Sequence, residues 1–314
     1  MVNKIYMFYN GLIKYLRKHQ NSDGSYDGCT CPYMDEKAML RDAEGRMGFS
    51  AYILWNLSII DDEIVSSEIM AKVESFLWKK RARNGDTVAW RWAPSLNADF
   101  DCTVLNYSHF RSKGIKIYLD ESAFIHKNEC QVWENRLKED DIVKINSIMY
   151  YKEFDSKKCN DIVENILTNL FSNRINSDYY LYSDCATAFH LCMVGGFSYI
   201  KEESLAEFRV WLKEKLMHNN LCKVEKIYIF YAALAVLFDL MNNEEKNEFL
   251  KKICALIDEK ILLSDTLLFK GPAEEELSNQ WKFGGTCLYC AYLANLLNKT
   301  LSKMSEVNCE NMCT

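Results

Sequence analysis

Proline is nearly missing from the 314 residues, with three copies, and glycine is thin, with twelve. An all-β fold needs both at its many turns, so their scarcity excludes that class and favours long helices. No apolar run reaches the roughly 18 residues of a membrane span. The nearest, 227–240, is shorter and contains Asp239. A secretory signal is lacking too. Ile5, Phe8, Tyr9, Leu12, Ile13 and Leu16 recur at helical spacing, with Lys4, Lys14, Arg17 and Lys18 among them. There is no positive excess: 38 basic against 44 acidic residues give a net charge of −6. That balance removes the electrostatic basis for general nucleic-acid binding, so no nucleic-acid partner is expected. No Walker loop, dinucleotide fingerprint or Gly-x-Ser-x-Gly elbow occurs.

Hydrophobic residues make up 49 % of the chain and aromatics 13 %, ample for a large core and incompatible with disorder as the main state. The thirteen cysteines are odd in number and cannot all pair. They read as reduced thiols of a cytoplasmic chain, many of them small core residues.

Two kinds of helical segment alternate. Amphipathic, charged ones span 3–19, 66–80, 121–137, 158–171, 202–216 and 243–261. More apolar ones span 49–60, 101–113, 143–152, 184–197, 227–241 and 286–297. The first kind belongs outside a bundle and the second inside it. Six outer–inner pairs at a spacing of about fifty residues predict an all-α fold, a single α/α toroid around a central cavity. An open helical solenoid uses similar pairs and is the structural rival. The toroid domain is expected over 1–301, with 302–314 a frayed tail.

The chemistry concentrates at Asp99-Phe100-Asp101-Cys102-Thr103. Asp99 is a good N-cap for the inner helix that follows, and Gly114 a good stop. Asp101 then falls in the first turn, where the helix dipole favours its carboxylate and burial favours its neutral form. Kept protonated in an apolar chamber, it can give its proton to an alkene, and aromatic faces can stabilise the resulting cation. Trp90, Trp92, Phe100, Tyr107, Trp281 and Phe283 are candidate lining residues. Asp184-Cys185 repeats the Asp-Cys pair at another inner-helix start and is read either as a second cavity carboxylate and thiol or as a cap. His190 reads as a packed or hydrogen-bonded histidine rather than a ligand.

No metal site is expected. Cys287-x-x-Cys290 has no partner knuckle, and Asp61-Asp62-Glu63-Ile64-Val65 and Asn160-Asp161-Ile162-Val163-Glu164 each fail a Mg²⁺ motif at their last residue.

Asp99-x-Asp101-Cys102-Thr103 resembles the Asp-x-Asp-Asp-Thr motif of class II terpene cyclases and the Asp-Cys-Thr-Ala-Glu motif of oxidosqualene cyclases. Both families share the α/α toroid with protein prenyltransferase β-subunits. Gln20-Asn-Ser-Asp-Gly24-Ser-Tyr26 is similar to their repeated Gln–Trp motif, and Trp281-Lys-Phe283-Gly284-Gly285 echoes it. Asp141 to Ile148 is similar to the segment that follows the acidic motif in small bacterial relatives. The third acidic position is Cys102 here, and the repeated motif ends in Tyr26. The resemblance implies an isoprenoid cyclase or isomerase in which Asp101 is the general acid, Asp99 orients it and Cys102 hydrogen-bonds it. It implies a hydrophobic small-molecule substrate, a prenyl diphosphate among the options, and no cofactor, with Mg²⁺ entering only beside a diphosphate. Arg46, Arg91 and Lys282, near inner-helix starts, are the candidates to hold such a diphosphate. The readings from other classes are a cyclase-fold enzyme acting on a non-terpene metabolite and a non-catalytic helical-repeat binding protein.

Overall fold

The computed structural model describes residues 1–32, 40–42, 46–93, 97–123, 125–126, 129–130, 141–174, 184–218, 220–257, 281–284 and 286–312, with the backbone alone at 28–32, 40–42, 84, 123, 125–126, 129–130, 281–284 and 306–312. Helices dominate it. In chain order they are α1 (Val2–Lys18), α2 (Arg46–Leu57), α3 (Ala71–Lys80), α4 (Phe100–Ser112), α5 (Asp141–Tyr151), α6 (Ser156–Phe171), α7 (Asp184–Met193), α8 (Glu202–Met217), α9 (Lys223–Val236), α10 (Asn243–Cys254) and α11 (Thr286–Met312). A π-helical turn, Val65–Met70, leads directly into α3.

The packing follows the hydrophobic pattern. Helix α1 buries one stripe, Ile5, Phe8, Tyr9, Leu12, Ile13 and Leu16, and turns its charges outward. In α2 every residue from Met47 to Leu57 is buried, and in α7 every residue from Cys185 to Met193. The buried helices form a circuit. Helix α2 packs on α4, α4 on α5, α5 on α7, α7 on α9 and α9 on α11, and α11 packs back on α2. An open solenoid leaves its first and last repeats apart, so this closure decides for the toroid. Outside it, α1 covers α11, α3 covers α2, α6 covers α5 and α8 covers α9, while α10 sets Phe249 against Phe230 of α9.

Three small sheets decorate the ring. Strand β1 (Gly28–Pro32) lies between β2 (Leu40–Asp42) and β7 (Trp281–Gly284), both antiparallel to it. Its register with β7, Cys29 opposite Gly284, joins the segment after α1 to the one before α11 at the seam of the ring. The hairpin of β3 (Ala82–Asn84) and β4 (Thr87–Ala89) precedes the acidic motif.

Two expectations change. No helix spans 121–137: Glu121–Ala123 is a 3₁₀ turn, followed by the short antiparallel pair β5 (Ile125–His126) and β6 (Glu129–Cys130), and 131–140 lie outside the described residues. Asp120 Oδ1 accepts from both the backbone N–H and the hydroxyl of Ser122, local bonding that favours a turn over a helix start. The tail expected to fray from 302 is also helical, because α11 runs to Met312 and Lys303 bonds both carboxylate oxygens of Asp239 at 2.8 and 3.0 Å.

The Gln20 to Tyr26 segment works as a clamp between outer helices. Gln20 Nε2 donates to the carbonyls of Gly24 (3.1 Å) and Ile69 (3.0 Å), and the buried Tyr26 hydroxyl donates to Leu16 O at 3.0 Å. Gly24 has φ +91°, and a Cβ there would stand 2.2 Å from the Lys72 carbonyl oxygen. Both facts demand glycine. Gly24→Ala should therefore destabilise the chain by about 2–4 kcal/mol in urea unfolding, and a wild-type midpoint would contradict the clamp.

Candidate active site

Asp99 caps α4, its carboxylate accepting from the Cys102 N–H at 2.6 Å. Thr103 locks the preceding strand onto this helix. Its hydroxyl accepts from Trp90 N–H at 2.9 Å and donates to Trp90 O at 3.0 Å. With the helix start fixed, Asp101 projects from the first turn and is 1 % exposed. Each of its oxygens receives a short hydrogen bond, Oδ2 from the Tyr52 hydroxyl of α2 and Oδ1 from the Asn146 amide of α5. Burial pushes the Asp101 carboxyl above the ordinary range, and the two donors pull it partly back. The opposed effects suit an acid: desolvation favours the proton at rest, and the donors stabilise the anion left after transfer.

The surroundings form a layer across the ring. Tyr52, Asn146, His190, Tyr228 and Tyr292 are each the sixth or seventh residue of an inner helix, about 8–9 Å from its start. They meet at this depth. Asn146 Oδ1 lies 3.0 Å from His190 Nδ1, the Tyr52 and His190 rings are 6.1 Å apart, and the Tyr228 and Tyr292 rings 5.3 Å. Tyr52 and His190 meet at the seventh positions, and Asn56, Met193 and Asn295 at the tenth or eleventh, so α2, α7 and α11 run parallel. Helices α2 and α7 face each other across the circuit, yet Trp55 of α2 stands 4.9 Å from His190 and 6.3 Å from Phe189. Deeper still, Asn295 Nδ2 donates to Asn56 Oδ1 at 3.3 Å and approaches Met193 Sδ at 3.1 Å. Side chains of α2, α7 and α11 therefore meet across the ring from the second turn onward.

Asp99 is buried, and burial pushes its carboxyl up to about 7 while the Cys102 and Trp92 backbone N–H groups oppose that rise and the Asp101 charge adds to it. The Cys102 thiol is paired with Asp99 rather than with Asp101, and burial with two neighbouring carboxylates pushes it far up. Trp92 packs over α2, with its ring 5.0 Å from Phe49 and 6.4 Å from Tyr52. Gly48 permits this approach, since a Cβ there would meet the indole at 2.0 Å. Phe100 is buried at the helix start.

Other predicted lining residues face elsewhere. Trp90 donates its indole N–H to Leu77 O of α3 at 2.9 Å and stacks on Phe110 at 5.7 Å, so it packs between the layers rather than in the ring. Tyr107 meets Tyr150, which in turn meets Phe154, an exposed residue beyond the end of α5. Asp184 pairs with Lys215 of the outer helix α8, which binds the carboxylate to that layer. Cys185 is buried with its thiol 3.4 Å from Asp184 Oδ1. Arg46 is paired with Asp27 at 2.5 Å. The side chains of Trp281, Lys282 and Phe283 lie outside the described residues. Among the described residues no three His, Cys, Asp or Glu side chains converge as metal ligands.

Sequence reasoning found Asp101 but not its partners. Tyr52 stands 49 residues away, and His190 was read only as a packed or bonded core residue. A signal was present nonetheless: five inner helices each carry a Tyr, Asn or His at their sixth or seventh position.

The closed ring of helices is shared with solved terpene cyclase structures. The solved structure of type II terpene cyclase MstE from Scytonema superimposes with a TM-score of 0.69 at 13 % identity, covering 96 % of this chain and 99 % of that one. A variant of the same cyclase, in complex with geranylgeranyl dihydroxybenzoate, gives 0.63 at 15 % identity over 96 % and 98 %. A protein from Actinoplanes gives 0.55 at 9 % identity over 95 % and 99 %. No protein-family model matches the chain, and no curated protein matches it by sequence. At these identities the likeness is one of fold, and it runs the length of both molecules.

The raised Asp99 carboxyl has a consequence for stability. Between about pH 4 and 7 the folded chain keeps this proton and the unfolded chain releases it, so stability falls as pH rises through that window. Asp99→Asn keeps a capping oxygen but cannot ionise. Its urea midpoint should decline less than the wild type's from pH 4 to 7, and parallel declines would contradict the assignment.

Proposed function

We propose that the protein is a class II-type isoprenoid cyclase in which Asp101 is the general acid. The observation that carries this reading is a carboxyl buried inside a closed ring of helices, with Tyr52 and Asn146 donating to its two oxygens. Asp101 gives its proton to a terminal alkene or epoxide. The O–H bond breaks and a C–H bond, or the O–H of an opening epoxide, forms. Positive charge then passes to a tertiary carbon, internal alkenes close rings onto it, and loss of a proton ends the sequence. For an alkene substrate the net change is an isomerisation, which needs no redox cofactor.

Because side chains of α2, α7 and α11 meet across the ring beyond the second turn, the chamber belongs on the side where the inner helices begin. There the faces of Trp92 and Tyr52 are the aromatic surfaces nearest the acid, suited to stabilising a cation. The substrate class is a long prenyl chain, supported by the bound prenylated ligand of the Scytonema cyclase. A diphosphate, where the substrate has one, survives the reaction, and Arg46 and Arg91 are the cations placed near inner-helix starts to meet it, with Mg²⁺ in company. Among the described residues no helix is long and apolar enough to cross a membrane, and eight described cysteines are free thiols, which supports a reducing compartment such as the cytoplasm.

The test is incubation with geranylgeranyl substrates, both diphosphate and prenylated aromatic acid, followed by mass spectrometry and NMR of the products. Wild type should yield a cyclised isomer, and Asp101→Asn should lose at least about 100-fold in rate. Equal product from the variant would remove the acid role.

A further inference from the structure

The Asn146 amide sits between two groups that each fix its orientation. Its Nδ2 donates to Asp101 Oδ1, and its Oδ1 stands 3.0 Å from His190 Nδ1. An amide turned by 180° would present its carbonyl oxygen to the acid, where it would repel the carboxylate and hold the proton of the neutral form. The orientation therefore decides whether Asp101 is helped or hindered in releasing its proton. The ring nitrogen that faces the amide oxygen must be a donor, which places the His190 proton on Nδ1.

The second nitrogen agrees. His190 is wholly buried, and its Nε2 has no hydrogen-bond partner among the described residues. Around it stand the rings of Trp55 (4.9 Å), Phe189 (5.7 Å) and Tyr52 (6.1 Å). Burial holds the imidazole neutral, pushed down to about 3. A neutral ring with one proton and one polar partner keeps that proton where the partner is.

We propose that His190 is a positioning residue, whose Nδ1–H fixes the Asn146 amide so that Asp101 always faces an N–H. The role rests on the acid reading of Asp101. The titratable groups near the pair are Asp99 and Cys102 on α4, Tyr52 on α2 and Tyr292 on α11.

Two measurements that need no turnover test it on the intact chain. In ¹⁵N-histidine NMR of the wild type, His190 should carry its proton on Nδ1 and leave Nε2 bare; a proton on Nε2 would overturn the proposal. The second compares His190→Asn, whose amide nitrogen stands close to the position of the ring Nδ1, with His190→Leu, which has no donor. In ¹³C-aspartate NMR the Asp101 titration should move up by about one pH unit in the leucine variant, a tenfold weaker acid, and stay near wild type in the asparagine variant. Equal shifts in both, or none in either, would overturn it. The wild-type tautomer decides the matter even if the leucine variant fails to fold. In turnover, kcat should fall by up to about tenfold with KM unchanged in His190→Leu and recover in His190→Asn. If Asp101→Asn proves fully active, the acid reading fails, and the two NMR results still report separately on the lock.

Discussion

A carboxyl group taken out of water must either keep its proton or find donors for its charge. Both influences act on Asp101, and the rest of the architecture follows from that constraint. Burial supplies the first condition, and two neighbouring helices supply the second through Tyr52 and Asn146. Neither donor comes from α4, so the acid is only as well placed as the packing of α2 and α5 against it. Ring closure fixes that packing, because α11 packs back on α2 and leaves no free end along which a helix can slide.

The polar layer makes the centre of the ring a specified interior rather than a greasy one. Five inner helices each contribute a hydrogen-bonding side chain at one depth. Such residues are costly in a core unless bonded, and the Asn146–His190 bond ties the relative height of α5 and α7. The same layer limits where a ligand can lie. With Trp55, Phe189 and His190 meeting across the circuit, the proposed substrate would have to approach from the helix starts, the side on which Asp99 and Asp101 open α4.

Much of the fold was legible in the sequence because helical periodicity reports burial directly. The stripe of α1 and the nearly all-apolar α2, α7 and α9 separated outer from inner helices without further help. The segment at 121–137 misled because its composition is helical while Asp120 and Ser122 bond locally into a turn. At the site, Asp99 and Asp101 were readable from capping logic and from the resemblance of their motif. Trp90 was misread because nearness in sequence says nothing about face: the bonds of Thr103 turn its ring toward α3. Asp184 was read either as a second cavity acid or as a cap, and its pairing with Lys215, thirty-one residues on, has no local signature. The bonds of Tyr52 and Asn146 to Asp101 stayed hidden for the same reason, since contacts between helices far apart in sequence are a product of closure.

The central claim is that Asp101 holds its proton in the resting molecule. Infrared difference spectroscopy of wild type against Asp101→Asn, near neutral pH and with carboxyl groups isotopically shifted, reads this without any substrate. The account predicts that the wild type shows one additional neutral carboxylic acid band that the variant lacks. An additional ionised carboxylate band in its place would contradict it.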